Sequence, residues 1–130
     1  MDICVQTLGK ASQEPYSSNC TVGGWRISWQ SSRNIERLAR DSSPVWVVGT
    51  LLGPLRQSVQ QGASSPETLG RDAVDSDGSF AVIMPREHDV VVVTDPAGSI
   101  PLYYGYGSNG GAMGTMVHHV AQCSGLTSVD

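Results

Sequence analysis

Trp25, Ile27 and Trp29 alternate with Arg26 and Ser28. Period two with aromatic and β-branched residues predicts a half-buried strand. From Pro44 the chain runs apolar almost without a break to Leu52, rich in Val, which predicts a strand covered on both faces. Gly53-Pro54 stops it. A shorter β-like run, Ile3 to Thr7, precedes a polar loop over Gly9–Pro15 that Tyr16–Asn19 continues. Residues 1–20 are thus expected to include a flexible N-terminal segment, with the strand anchored or frayed. The polar stretch Ser31–Asp41 reads as a loop or a short helical turn through Ile35 and Leu38. Leu55–Gln61 reads as a helical turn. Ser65-Pro66-Glu67 starts a helix, with Ser as the cap, Pro at the first helical position and an acid in the first turn, ending near Val74.

After Ser79 the pattern sharpens. Phe80–Met84, Asp89–Thr94 and Ile100–Tyr106 read as strands, separated by turns at Pro85–His88 and Asp95–Ser99, and Gly107–Gly111 turns into a short fourth. Short connections predict an antiparallel meander. Thr115 then caps a helix from Met116 to Cys123, which Gly125 ends. Strands followed by a helix describe an α+β layered domain, one domain over residues 1–130.

Composition narrows the function classes. Twelve acids against 8 bases give a net charge of −4, so nothing electrostatic draws the chain to nucleic acid or an anionic membrane. Charged residues make up only 15%, well under the roughly 25% of a typical domain. No apolar run is long enough for a membrane span, and the N-terminus offers acids where a signal peptide wants positive charge. Cys4, Cys20 and Cys123 are too few for a disulfide framework. The expected setting is cytoplasmic, with reduced thiols.

Three candidate chemistries stand against plainer readings. Asp75-Ser76-Asp77-Gly78 has the start of a calcium loop, but the Gly comes too early and no bidentate Glu follows, so a turn into a strand is favoured. His119 and Cys123 share a face of the expected final helix and, with His118, offer metal ligands; an amphipathic helix with one buried thiol is the simpler reading, and no metal or other cofactor is expected. Cys20, followed by Thr-Val-Gly-Gly, has the look of an N-terminal nucleophile, whose free α-amine would serve as its base. Only removal of the preceding residues would expose that amine, and a half-buried structural Cys is favoured.

From Asp77 onward the chain resembles the N-terminal, class II glutamine-amidotransferase-like domain of asparagine-synthetase-type enzymes. Asp77-Gly78-Ser79-Phe80-Ala81-Val82-Ile83 is similar to that family's D-G-x-F-A strand. Thr94-Asp95-Pro96-Ala97-Gly98-Ser99-Ile100-Pro101-Leu102-Tyr103-Tyr104 is similar to its R-D-x-x-G-x-x-P-L-Y-Y turn and strand. Gly114-Thr115 stands where the family has a small pair opening a helix, and the strand from Val45 ends, like an earlier family strand, in Gly49. The resemblance implies an N-terminal-nucleophile-hydrolase-like αββα sandwich with antiparallel sheets, one helix layer thin or incomplete at this length.

The departures shape the expected function. The family's glutaminases begin at Cys, hold an oxyanion with the Asn of an Asn-Gly-Glu motif, and grip glutamine with a Ser-Asp-x-Glu segment. This chain has Val48-Gly49-Thr50 at the corresponding strand end and no such segment before Asp77. One lost oxyanion donor costs roughly 10²–10³ in rate; losing nucleophile, donor and clamp leaves no glutaminase. The resemblance is nearer to β-lactam synthetases and lasso-peptide cyclases, whose first domain kept the fold without glutamine hydrolysis. It implies a non-catalytic scaffold or substrate-holding subunit in peptide or natural-product biosynthesis. Its partner would be a separate ATP-dependent synthetase-type chain or a second copy. The alternative is a glutamine amidohydrolase activated by processing at Cys20.

Three structural expectations follow. Tyr103 and Tyr104 should point to opposite faces of their strand. Asp95 should accept backbone N–H bonds in its turn, with Gly98 at positive φ, so that both are structural. A low-charge surface should leave an apolar patch or an open strand edge for association.

Overall fold

A computed structural model describes residues 3–7, 18–30, 34–38, 44–62, 65–108, 110–116, 120–121 and 124. In chain order the elements are β1 (Ile3–Thr7), β2 (Ser18–Val22), β3 (Trp25–Trp29), β4 (Ile35–Leu38), β5 (Val45–Gly49), α1 (Pro54–Gln60), α2 (Pro66–Val74), β6 (Phe80–Pro85), β7 (Val90–Thr94), β8 (Tyr103–Gly107) and β9 (Gly110–Gly114). Every strand pairing among them is antiparallel, so the α+β class holds. No helix of the described residues is long and apolar enough to cross a membrane.

The chain forms two compact units, one from residues 32–100 and the other from residues 1–31 together with 101–130. The contiguous unit holds a four-stranded sheet in the order β4-β5-β6-β7. Strand periodicity sends Val45 and Val47, Phe80, Val82 and Met84, and Val91 and Val93 to one face. There they pack with Leu55 and Val59 of α1 and Leu69 and Ala73 of α2. Each helix contributes an i, i+4 pair, so each lies with one stripe on the sheet. Burying each such side chain contributes about 1.5–3 kcal/mol. Trp46, Val48, Ala81 and Ile83 alternate to the other face and are also fully buried, which is why both strands read as unbroken apolar runs.

The polar stretch after Ser31 holds a strand, not a loop or helical turn. Ile35 and Leu38 of β4 are buried, while Glu36 and Arg37 between them are exposed. The charges find partners across the sheet. Arg56 of α1 donates to both oxygens of Glu36 at 2.7 and 2.6 Å. The Arg37 guanidinium lies 5.8 Å over the Trp46 ring, within cation–π range.

The second unit holds a five-stranded sheet in the order β2-β3-β1-β9-β8. Gly23 turns β2 into β3 with φ of 54°, a positive value that the tight hairpin turns need at their first position. Tyr16–Asn19 was expected to continue a loop, yet Ser18 and Asn19 already belong to β2. β1 is anchored in the middle of the sheet, with Cys4 opposite Ser28 on one side and Gly114 on the other. Gly114 is required there, since a Cβ would lie 2.5 Å from the Ile3 carbonyl oxygen.

The expected meander from Phe80 to Tyr106 is broken. β6 and β7 pair as predicted, but β8 leaves that sheet and pairs with β9. The connection from Asp95 to Leu102 contains two prolines and is long enough to carry the chain elsewhere. The Thr115 hydroxyl accepts the Ile3 N–H at 3.1 Å, while the Thr115 N–H donates to the Ile3 carbonyl at 3.1 Å; the residues that Thr115 is expected to cap lie outside the described residues. Val120, Ala121 and Ser124 are helical. The rest of the expected final helix lies outside the described residues.

Candidate functional site

Asp95 joins the two sequence modules that carry the resemblance. Its carboxylate accepts the Phe80 N–H at 3.2 Å, the Ser99 N–H at 3.3 Å and the Ser99 hydroxyl at 2.8 Å. Its own N–H donates to the Phe80 carbonyl at 3.1 Å, and its carbonyl accepts the Gly98 N–H at 2.9 Å. The last bond closes a turn with Asp, Pro and Gly at the positions those residues favour, and Gly98 takes φ of 63°. Asp95 is buried. Burial alone would raise its pKa, but the Ser99 hydroxyl and the Phe80 and Ser99 N–H groups outweigh it and hold the carboxyl below its ordinary range. Every oxygen of the carboxylate therefore serves the fold.

Asp77 acts through its backbone. Its N–H donates to the Leu52 carbonyl at 2.7 Å and its carbonyl accepts the Leu52 N–H at 3.0 Å, while its side chain is exposed. Gly78 follows at φ of 108° and Phe80 is fully buried. Ser76, within the stretch that looked briefly like a calcium loop, ties the helices together. Its hydroxyl accepts the Leu55 N–H at the start of α1 at 3.0 Å and donates to the Asp72 carbonyl of α2 at 2.8 Å. The turn reading of that stretch is thereby accounted for.

Pro101 is exposed and Leu102 half-buried as the chain enters β8. Tyr103 and Tyr104 do point apart. Tyr103 packs against Cys4, Ala112 and Val120, whereas Tyr104 is 79% exposed.

Cys20 is the third residue of β2, opposite Ile27, and half-buried. Cys4 is opposite Ser28, one position along β3, so the two cysteines face opposite sides of the sheet and cannot join in a disulfide. Among the described residues no group of three or more His, Cys, Asp or Glu could hold a metal ion. His118, His119 and Cys123 lie outside the described residues.

One feature was not read from the sequence. The Gln6 side-chain amide and the Ser28 hydroxyl, neighbours on one face of the five-stranded sheet, are buried with no hydrogen-bond partner among the described residues. A Gln inside a short apolar run was the only signal for it. No family model matches the chain, and no curated protein matches it.

Proposed function

We propose that this chain is a non-catalytic scaffold or substrate-holding subunit of the kind that precedes the synthetase domain in asparagine-synthetase-like, amide-forming enzymes. It works with a separate ATP-dependent synthetase chain in peptide or natural-product biosynthesis. In this reading the two sheets are the inner layers of an αββα sandwich. Two observations support the layering. One sheet carries α1 and α2 on a single face, and the other carries the helical residue Val120 on the face of Cys4 and Tyr103.

The observation that carries the functional reading is the Asp95 junction. Asp95 binds Phe80 of one module and Ser99 and Gly98 of its own, and both oxygens of its carboxylate are consumed in doing so. That arrangement preserves a frame and supplies no nucleophile, base or oxyanion donor. Processing at Cys20 is the poorer alternative. A cut before Cys20 would detach β1 from the chain, and among the described residues β1 is the strand between the β2–β3 hairpin and the β8–β9 hairpin.

Two measurements test the proposal together. ATP–pyrophosphate exchange by a synthetase-like chain encoded beside this one should rise when this chain is added. Ammonia release from glutamine by this chain alone should stay at background. Ammonia release that Cys20→Ser abolishes would make the protein a glutaminase and overturn the scaffold reading.

A further inference from the structure

We propose that the outer edge of β8 pairs with β8 of a second copy, joining two five-stranded sheets about a two-fold axis. Among the described residues no strand pairs with this edge, since β8 ends the sheet order and its only ladder runs to β9. Natural edges are guarded by charge, proline or a bulge. The edge strand β4 follows that rule with exposed Glu36 and Arg37. β8 does not. Its sequence is Tyr-Tyr-Gly-Tyr-Gly, and no Asp, Glu, Lys or Arg occurs anywhere from Pro96 to Val129. Although the whole chain carries −4, two copies meeting here bring no like charges together.

The strand also complements itself. An antiparallel pairing centred on Gly105 sets Tyr104 opposite Tyr106 of the second copy, and Tyr103 opposite its Gly107. Tyr104 and Tyr106 are each 79% exposed, and they lie on one face because they are two positions apart. Opposed aromatic pairs of this kind favour the pairing, and the paired backbone closes the edge. Five residues a side bury less than the roughly 800 Å² per partner of a standard stable interface, so the dimer is expected to dissociate on dilution. Such pairing requires neither a glutaminase nor a synthetase partner.

Sedimentation velocity over a dilution series should show a monomer–dimer equilibrium. Tyr106→Lys, at an exposed position, should leave thermal unfolding unchanged and weaken dimerisation at least tenfold. The register has its own test. Under mild oxidation, Tyr104→Cys mixed with Tyr106→Cys should give a disulfide-linked dimer containing one of each, and neither variant alone should. Three results would overturn the proposal: a monomer at every concentration, a dimer that Tyr106→Lys leaves intact, or a β8 edge that binds only a different chain.

Discussion

Gly49 and Gly78 make room for each other's strand where β5 and β6 run together. A Cβ on Gly49 would sit 2.1 Å from the Ser79 carbonyl oxygen, and a Cβ on Gly78 would sit 2.1 Å from the Thr50 carbonyl oxygen. Both take positive φ, 91° and 108°. The Thr50 N–H meanwhile donates to the Ser79 carbonyl at 2.8 Å, so the backbones cannot part without losing that bond. Gly49→Ala and Gly78→Ala should each destabilise the fold by at least about 1–3 kcal/mol from backbone strain alone. Gly70→Ala supplies the contrast. It lies on the exposed side of α2 with nothing within 4 Å of a new Cβ, and should stabilise by about 0.5–1 kcal/mol. Thermal melts of the three variants check both signs.

Asp95 gives a prediction in pH. Its carboxyl is held below the ordinary 3.8, so the unfolded chain takes up a proton at higher pH than the folded one. The stabilisation is present above pH 3.8 and is lost as pH falls through the lower, folded-state pKa. Asp95→Asn keeps one acceptor but removes the proton uptake. Its melting temperature should lie below wild type at neutral pH, and the gap should narrow in acid. Asp95→Ala should lower the melting temperature further and change no chemistry.

Ser76→Ala should cost about 1–2 kcal/mol, because it strips a cap from α1 and a donor from the end of α2 at once. Denaturant unfolding at unchanged slope is the measurement.

Gln6→Met keeps the volume and removes the two polar atoms of a buried amide that has no partner among the described residues. It should raise stability by about 1–3 kcal/mol, the reverse of most core substitutions. A lower melting temperature would show that the amide has a structural task.

The β1 position yields a last prediction. Deleting residues 1–19 to expose Cys20 should abolish cooperative unfolding of the five-stranded sheet rather than reveal an enzyme. Near-ultraviolet circular dichroism from Trp25 and Trp29 would report it. Intact mass of the purified protein should show that Cys20 is not the first residue.

How much of this was legible in the sequence depended on what holds each element. β3, β6, β7 and α2 are held by their own apolar pattern and lie close to the expected bounds, but β5 ends at Gly49 and not at Leu52, and the Ser65 hydroxyl donates to the Glu67 carboxylate and makes no cap to the α2 backbone. β4 is held by its neighbours: only Ile35 and Leu38 are buried, three apart, so a strand there looks helical in period. β2 is a half-covered edge whose inner face carries only Ser18, Cys20 and Val22, too weak an alternation to read. The departure of β8 from the meander was not legible either, because turn chemistry at Asp95–Ser99 fixes the turn and not the sheet that the next strand joins. At the candidate site, the role of Asp95 followed from Asp-Pro-x-Gly turn chemistry. Its bond to Phe80 required the fold.

The placement of β1 also bears on how the molecule is made. Ile3 is bonded to Thr115, 112 positions later, whereas the four-stranded sheet and both its helices close within residues 32–100. Closing so long a loop is entropically costly and slow compared with local pairing. On the ribosome the contiguous unit can therefore finish while β1 waits with one side unsatisfied until β9 emerges. Chaperone capture or misassembly during synthesis should fall in that interval, at a strand with one edge paired and the other still waiting for β9.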